Sequence, residues 1–301
     1  MLITSRNPDW HELATPVPVD VFDRHESISL LRQRVTGLSE ADAERVAAAL
    51  EDLPLAVNQA AAFLTETGFA VQQYLDLRTS RATEVLAQGA PVTYSASLAA
   101  SWQLAFDRLA VDEPAALDLL TLAAHLAPEP IPFTLFTAHT DRLPEPLATA
   151  AGDPLAFAGL ARLLRHRALA RISADSLQLH RLAQAILRTR PGSETDNDKM
   201  GRTAIGLLRG AVPADPWKNP ASWPTWQQLL PHVLAVNDTG HDLDPAGVDG
   251  AWLLDRAAIY LRTRGEPGPA RPLFETSLQP VPPGTGRGPL RHSGLGQQPR
   301  S

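Results

Sequence analysis

A mainly α-helical chain is what this sequence predicts, and three observations carry that expectation. Apolar residues return every three to four positions over most of the length, caps, prolines and glycines punctuate those stretches, and alternating, strand-like runs are few and short. A length of 301 residues suggests two domains, and a hydrophobic share of 44% is enough for a packed core. The net charge of -6 argues against a general nucleic-acid binder, and the absence of cysteine excludes disulfides and thiolate metal sites. Charge breaks every apolar run too early to cross a bilayer, and the first residues lack the apolar stretch of a signal peptide. The expectation is therefore a cytoplasmic protein with no membrane partner. Abundant alanine and arginine beside scarce lysine point to GC-rich bacterial coding.

The chain opens with Leu2, Ile3 and Thr4, a short strand running into Ser5 and Arg6 before the turn formers Asn7, Pro8 and Asp9. Pro16 to Val21 reads as a second extended segment. Helices follow. Glu26 to Val35 carries Ile28, Leu31 and Val35 at helical spacing, and Ser39 with Asp42 makes a capping box that opens a helix through Leu50. In Leu50 to Leu64, LEDLPLAVNQAAAFL, Pro54 heads the next helix, where its missing N–H costs nothing, and Asp52 stands upstream as a cap. Glu51 and Asp52 otherwise read as solvent-facing. Leu55, Gln59, Ala62 and Phe63 share one face, and the helix stops at Thr67 and Gly68. A proline-headed helix presents a rigid mouth that suits the flat edge of an adenine ring. A fourth helix, Val71 to Thr79, carries Tyr74, Leu75 and Arg78.

Gly89, Ala90 and Pro91 mark a boundary, after which a helix starting near Tyr94 or Ser95 carries Leu98, Trp102, Ala105 and Leu109. Pro114 opens another through His125, and Leu126 to Pro132, LAPEPIP, reads as a stiff connector. A helix from about Asp153 to Arg165 leads into two alternating runs, Ala168 to Ile172 and Leu177 to Leu179, around a turn at Ala174 and Asp175. Helices followed by a β-hairpin describe a winged helix. Arg162, Arg165, His166, Arg167 and Arg171 cluster there, which keeps a DNA-binding reading in view. Ser193 to Asp198 reads as a linker, Met200 to Leu208 as a helix, and Trp217 to Trp226 as an approach, with tryptophans as packing anchors, to the helix Gln227 to Val236. From Ala251 to Leu278 the spacing of Leu254, Ala257, Ala258, Leu261, Gly265, Ala270 and Phe274 resembles one tetratricopeptide repeat. Gln279 to Ser301, rich in Pro, Gly and Arg and free of acids, reads as disordered, either an out-of-frame remnant of a cut repeat array or a basic interaction tail.

LITSR near the start and DLPLA at Asp52 to Ala56 resemble the nucleotide-binding core of the NB-ARC family, signal-transducing P-loop NTPases of the STAND class. The resemblance implies that Arg6, with Ser5 beside it, faces the terminal phosphate, and that Pro54 and Leu55 lie on adenine. It implies further that His180 contacts a phosphate of ADP, because Leu179 and His180 match the first two positions of the family's MHD motif. Arg181 replaces the aspartate, and Asp52 replaces a glycine. The family also uses a GxxxxGK[ST] loop and an acidic strand for Mg²⁺, whereas the lysines of this chain are Lys199 and Lys218, neither after a glycine-rich turn.

The expectation is thus a truncated family member. Its parts are a nucleotide-domain remnant (1–22), a helical subdomain (23–90), a winged helix (91–192), a helical linker region (193–250), one repeat (251–278) and a disordered tail (279–301). ADP or ATP would be the cofactor, bound weakly or not at all by this chain alone. A protein partner or an upstream P-loop fragment would complete it. No catalytic or metal-binding set stands out, so the chain is expected not to be an enzyme. The alternatives are a helical interaction scaffold and a winged-helix DNA-binding regulator.

Overall fold

Prolines and polar caps decide where most helices begin. The computed structural model describes residues 17, 20–80, 98–190, 194–217, 219–239 and 248–278. The expected first strand with Ser5 and Arg6, the boundary at Gly89 to Pro91 and the tail 279–301 lie outside them. Of the extended segment expected at Pro16 to Val21, the described residues Val17, Asp20 and Val21 form no strand.

The fold is mainly helical with a small three-stranded antiparallel sheet. Helix α1 (Arg24–Arg34) starts at Asp23, whose N–H donates to the Glu26 carboxylate at 2.9 Å. In α2 (Glu40–Ala49) the Ser39 hydroxyl accepts from Asp42 N–H at 3.1 Å. Helix α3 (Pro54–Thr67) has its proline in the first turn and ends on Gly68, whose φ of 67° is the left-handed stop that glycine adopts freely. Helix α4 (Val71–Ser80) follows. Leu31, Val46, Leu50, Val57 and Tyr74 are buried where these helices meet. Phe63 stands edge-on to Phe69 at 5.7 Å.

The second region is built on α6. Helix α5 (Leu98–Asp112) leads into α6 (Pro114–Ala124), in which Pro114 alone is exposed and seven residues are buried. A helix apolar over most of its surface must be packed on several sides, and α6 is. After it come β1 (Ile131–Pro132), α7 (Thr134–Thr137), a 3-10 turn (Thr140–Arg142), α8 (Leu147–Gly152), α9 (Pro154–His166), β2 (Arg171–Ile172), β3 (Ser176–Gln178) and α10 (Arg181–Arg188). Helices α5, α8, α9 and α10 all pack on α6. The Gln184 amide of α10 donates to the carbonyls of Ala123 at 3.1 Å and Leu126 at 3.0 Å, and Arg188 reaches the Ala124 carbonyl. Side chains of one helix thereby donate to carbonyls at and just past the C-terminal end of another.

The sheet order is β1-β3-β2, with Leu177 opposite both Ile131 and Ile172. The expected connector Leu126 to Pro132 therefore ends in a strand. Pro132 fits because β1 is an edge, where a missing N–H breaks no ladder, and Ile131 is fully buried.

The expected linker Ser193 to Asp198 is corrected as well: α11 (Glu194–Ala211) begins inside it. Its polar, acidic character is what the first turn of a helix favours. Asn197 is a structural anchor, donating to the Arg188 carbonyl at 2.9 Å and facing His125 Nε2 at 3.1 Å. A 3-10 turn (Pro220–Ser222) leads into α12 (Trp223–Thr239), which starts earlier than expected because Pro224 is tolerated in a first turn. Trp226 is fully buried, donates to the Pro213 carbonyl at 3.1 Å and stacks on Tyr260. His232, also fully buried, ties α12 to the Pro130 carbonyl at 3.3 Å. Helices α13 (Val248–Thr263) and α14 (Pro267–Ser277) are joined through Gly265 at φ 83° and pack side by side over Ala257, Ala258, Leu261 and Ala270. No helix among the described residues is long and apolar enough to cross a membrane.

Leu120 on α6 is fully buried. Leu120→Ala is expected to cost about 2 to 5 kcal/mol in urea unfolding, whereas Leu155→Ala, at a site 84% exposed, is expected to change stability by well under about 1 kcal/mol.

Candidate functional site

The chain must reverse between α2 and α3, and it does so on charged residues where glycine would be easiest. Glu51 and Asp52 have φ of 52° and 58°, the left-handed region that costs a side-chain-bearing residue about 1 to 2 kcal/mol. Contacts on both sides hold them there. Asp52 N–H donates to the Ala47 carbonyl at 3.2 Å, and its own carbonyl accepts from Phe22 N–H at 2.9 Å. Its carboxylate takes two bonds from Arg24, Nε at 2.9 Å and Nη2 at 2.7 Å. Asp52 is therefore not the cap of α3. The N-cap is Leu53, which offers no side-chain bond, because the guanidinium is the stronger claimant on the carboxylate.

Glu51 points the other way, across to the start of α10. One carboxylate oxygen pairs with Arg181 Nε, and the other lies 3.1 Å from His180 Nε2. The expectation that Glu51 is a solvent-facing residue is corrected by these two contacts. His180 is the N-cap of α10, and its Nδ1 accepts from Leu182 N–H at 3.2 Å. The neutral ring therefore carries its hydrogen on Nε2, toward Glu51. That nitrogen is buried and sits at ion-pair distance but off the line of a hydrogen bond. Burial lowers the His180 pKa first, Glu51 opposes and Arg181 adds to the lowering. The Trp102 ring of α5 stands 6.1 Å from the imidazole.

Arg78, near the end of α4, lies within electrostatic reach of this cluster: burial lowers its pKa first, Tyr74 opposes, Arg181 adds to the lowering and Glu51 opposes it. Its Nε is buried with no hydrogen-bond partner among the described residues.

Of the five residues singled out from the sequence, Pro54 and Leu55 head α3 just after the Glu51–Asp52 turn, and His180 meets that turn through Glu51. Ser5 and Arg6 lie outside the described residues. Glu51, Arg78 and Arg181 were not among the five. The one signal for them is a helix stop without glycine, LEDLP, which leaves two acids in a tight turn.

The basic patch expected near the hairpin is partly neutralised, since Arg167 pairs with Asp112 at 3.0 Å and Arg171 with Asp20 at 3.1 Å. A separate cavity of about 560 Å³ is lined by Glu113, Ala150, Gly159, Arg162, Leu163 and His166, and shares no residue with the cluster. Comparison with protein-family models finds no match, and comparison with curated proteins finds none either.

Burial holds three histidines neutral: His125 is lowered to about 4, and His180 and His232 are also lowered. A histidine whose folded pKa lies below its unfolded value lets the unfolded chain take up protons first. The stability it contributes is complete above about pH 6.5 and is lost as pH falls toward the folded pKa, by up to roughly 1.4 kcal/mol per pH unit per group. The thermal midpoint is expected to fall between about pH 7 and about pH 5. His125→Gln should flatten that slope, and a slope equal to that of the wild type would contradict this assignment.

Proposed function

We propose that this chain carries the regulatory lid of an NB-ARC-type nucleotide switch. The observation that supports it best is the meeting of the turn before proline-headed α3 with the histidine-capped start of α10 through one carboxylate, Glu51. The residues assigned to adenine, Pro54 and Leu55, and the one assigned to a phosphate, His180, thus stand on linked elements. In this reading Arg6, with Ser5, answers the terminal phosphate. The sheet order β1-β3-β2, with α9 packed on β2, supports a winged-helix reading in which β2 and β3 are the wing. The α13–α14 pair, turning at Gly265, supports the reading as one tetratricopeptide-like unit.

The cofactor would be ADP in the closed state and ATP in the assembling one. The residues assigned here supply an adenine edge and an imidazole. The phosphate cradle, a GxxxxGK[ST] loop, is absent from these 301 residues and would come from a partner or an upstream fragment. The reading makes the chain a regulator whose product is a change of assembly, not an enzyme acting alone.

Two measurements test this. Calorimetry with ADP and Mg²⁺ should show binding no tighter than about 1 mM, and a micromolar dissociation constant would overturn the assignment of the cradle to another polypeptide. Photolabelling with an azido-adenine analogue of ADP at millimolar concentration should place ADP-competable label on the peptide containing Pro54 and Leu55. Competable label confined to other segments, or none, would sink the adenine assignment and leave the helical scaffold reading.

A further inference from the structure

The cavity beside α9 holds two opposite charges that do not pair. Glu113, half-buried at the N-cap of α6, lines it, and its carboxylate makes no hydrogen bond or ion pair among the described residues. Arg162 of α9 lines it too, and its guanidinium has no partner among the described residues either. The charges beside them are already engaged: Arg167, just past α9, pairs with Asp112 at 3.0 Å. That pair pins the end of α9 to the α5–α6 junction, so Glu113 faces the last turns of the helix, where Arg162 and His166 stand. The rest of the wall is small and apolar. Ala156, Gly159 and Leu163 recur at three and four residues and share the cavity face of α9. Gly159 sits in the helix interior, where glycine is a weaker helix former than alanine. A methyl group there would meet nothing within 4 Å, so no neighbour in the chain demands glycine. Its effect is to widen a cavity of about 560 Å³, a size typical of small-molecule sites.

Two unpaired charges of opposite sign select what can enter. A simple anion drawn by Arg162 is repelled by Glu113, and a simple cation meets the reverse. An uncharged apolar molecule would take both charges out of water with nothing in return. A molecule with both charges and an apolar body answers every part of the wall. We propose that this cavity binds a hydrophobic amino acid or dipeptide as its zwitterion, with the ammonium on Glu113, the carboxylate forked by Arg162 and the apolar side chain along Ala156 and Gly159. The fork favours a carboxylate, because a guanidinium offers two parallel N–H donors to two oxygens. The occupant bridges α9 to the α5–α6 junction, beside the Arg167–Asp112 pair. The site shares no residue with the Glu51 cluster and stands whether or not a nucleotide binds there.

The test uses the full chain, followed by calorimetry and thermal midpoint. The probes are leucine, leucylleucine and the amide and N-acetyl derivatives of each, which lack the carboxylate and the ammonium respectively. At least one zwitterion should bind with a dissociation constant below about 1 mM, and the tighter of the two tells amino acid from dipeptide. Its amide and its N-acetyl form should each bind at least about tenfold more weakly. Glu113→Gln should weaken the zwitterion by about tenfold without weakening the N-acetyl form, and Arg162→Gln should do the same without weakening the amide. Gly159→Leu fills the space and should abolish binding while leaving the thermal midpoint of the free chain unchanged or higher. No binding of either zwitterion up to about 10 mM overturns the proposal. So does equal affinity for a zwitterion and its derivatives, or an affinity unchanged in either charge variant. Should Glu113→Gln fail to fold, Arg162→Gln and Gly159→Leu decide by the same rule.

Discussion

The constraint on which the rest depends is the burial of α6 along nearly its whole length. A helix with no exposed residue after its first, Pro114, must be wrapped, and α5, α8, α9, α10 and α11 do the wrapping. Its C-terminal carbonyls cannot reach water, so they require donors from neighbours, and Gln184 and Arg188 of α10 provide them. That requirement fixes the rotation of α10 about its own axis. With Gln184 turned inward, the start of the same helix is set as well, and His180 and Arg181 are presented to the α2–α3 turn. Packing in the core thereby positions the charge cluster at its edge.

The cluster is held by opposed preferences. The backbone at Glu51 and Asp52 is in a region most residues avoid, while their carboxylates are drawn to arginines on opposite sides. Strain of one or two kcal/mol per residue is comparable with the worth of a half-exposed ion pair, so neither side dominates by a wide margin. Local strain of this kind collects at places that change state.

Element starts marked by a cap or a proline were legible from sequence. Ser39 before α2, Pro54 at α3, Pro114 at α6, Asp153 before α9 and the Gly68 stop all stand where local chemistry puts them. Features set by distant partners were not. Strand β1 is two residues long and contains a proline, so only pairing with β3 makes it a strand. The acidic opening of α11 resembles a linker until Asn197 is seen bonded to Arg188 and facing His125. Helices α7 and α8 are too short to show a period. At the site, Pro54 and His180 could be picked out because each marks a helix start. Glu51 and Asp52 were misread because their partners lie 130 and 28 residues away along the chain. Local pattern names the acids but not what claims them.

The reversal at Glu51 and Asp52 has an evolutionary consequence. Glycine at either position would relax the backbone, and in most turns of this shape drift toward glycine is easy. Here the same replacement would delete a carboxylate, so geometry and charge cannot be optimised separately. Descendants of this sequence can gain a more comfortable turn or keep the electrostatic contact, and lineages that keep the acids reveal which of the two selection has valued.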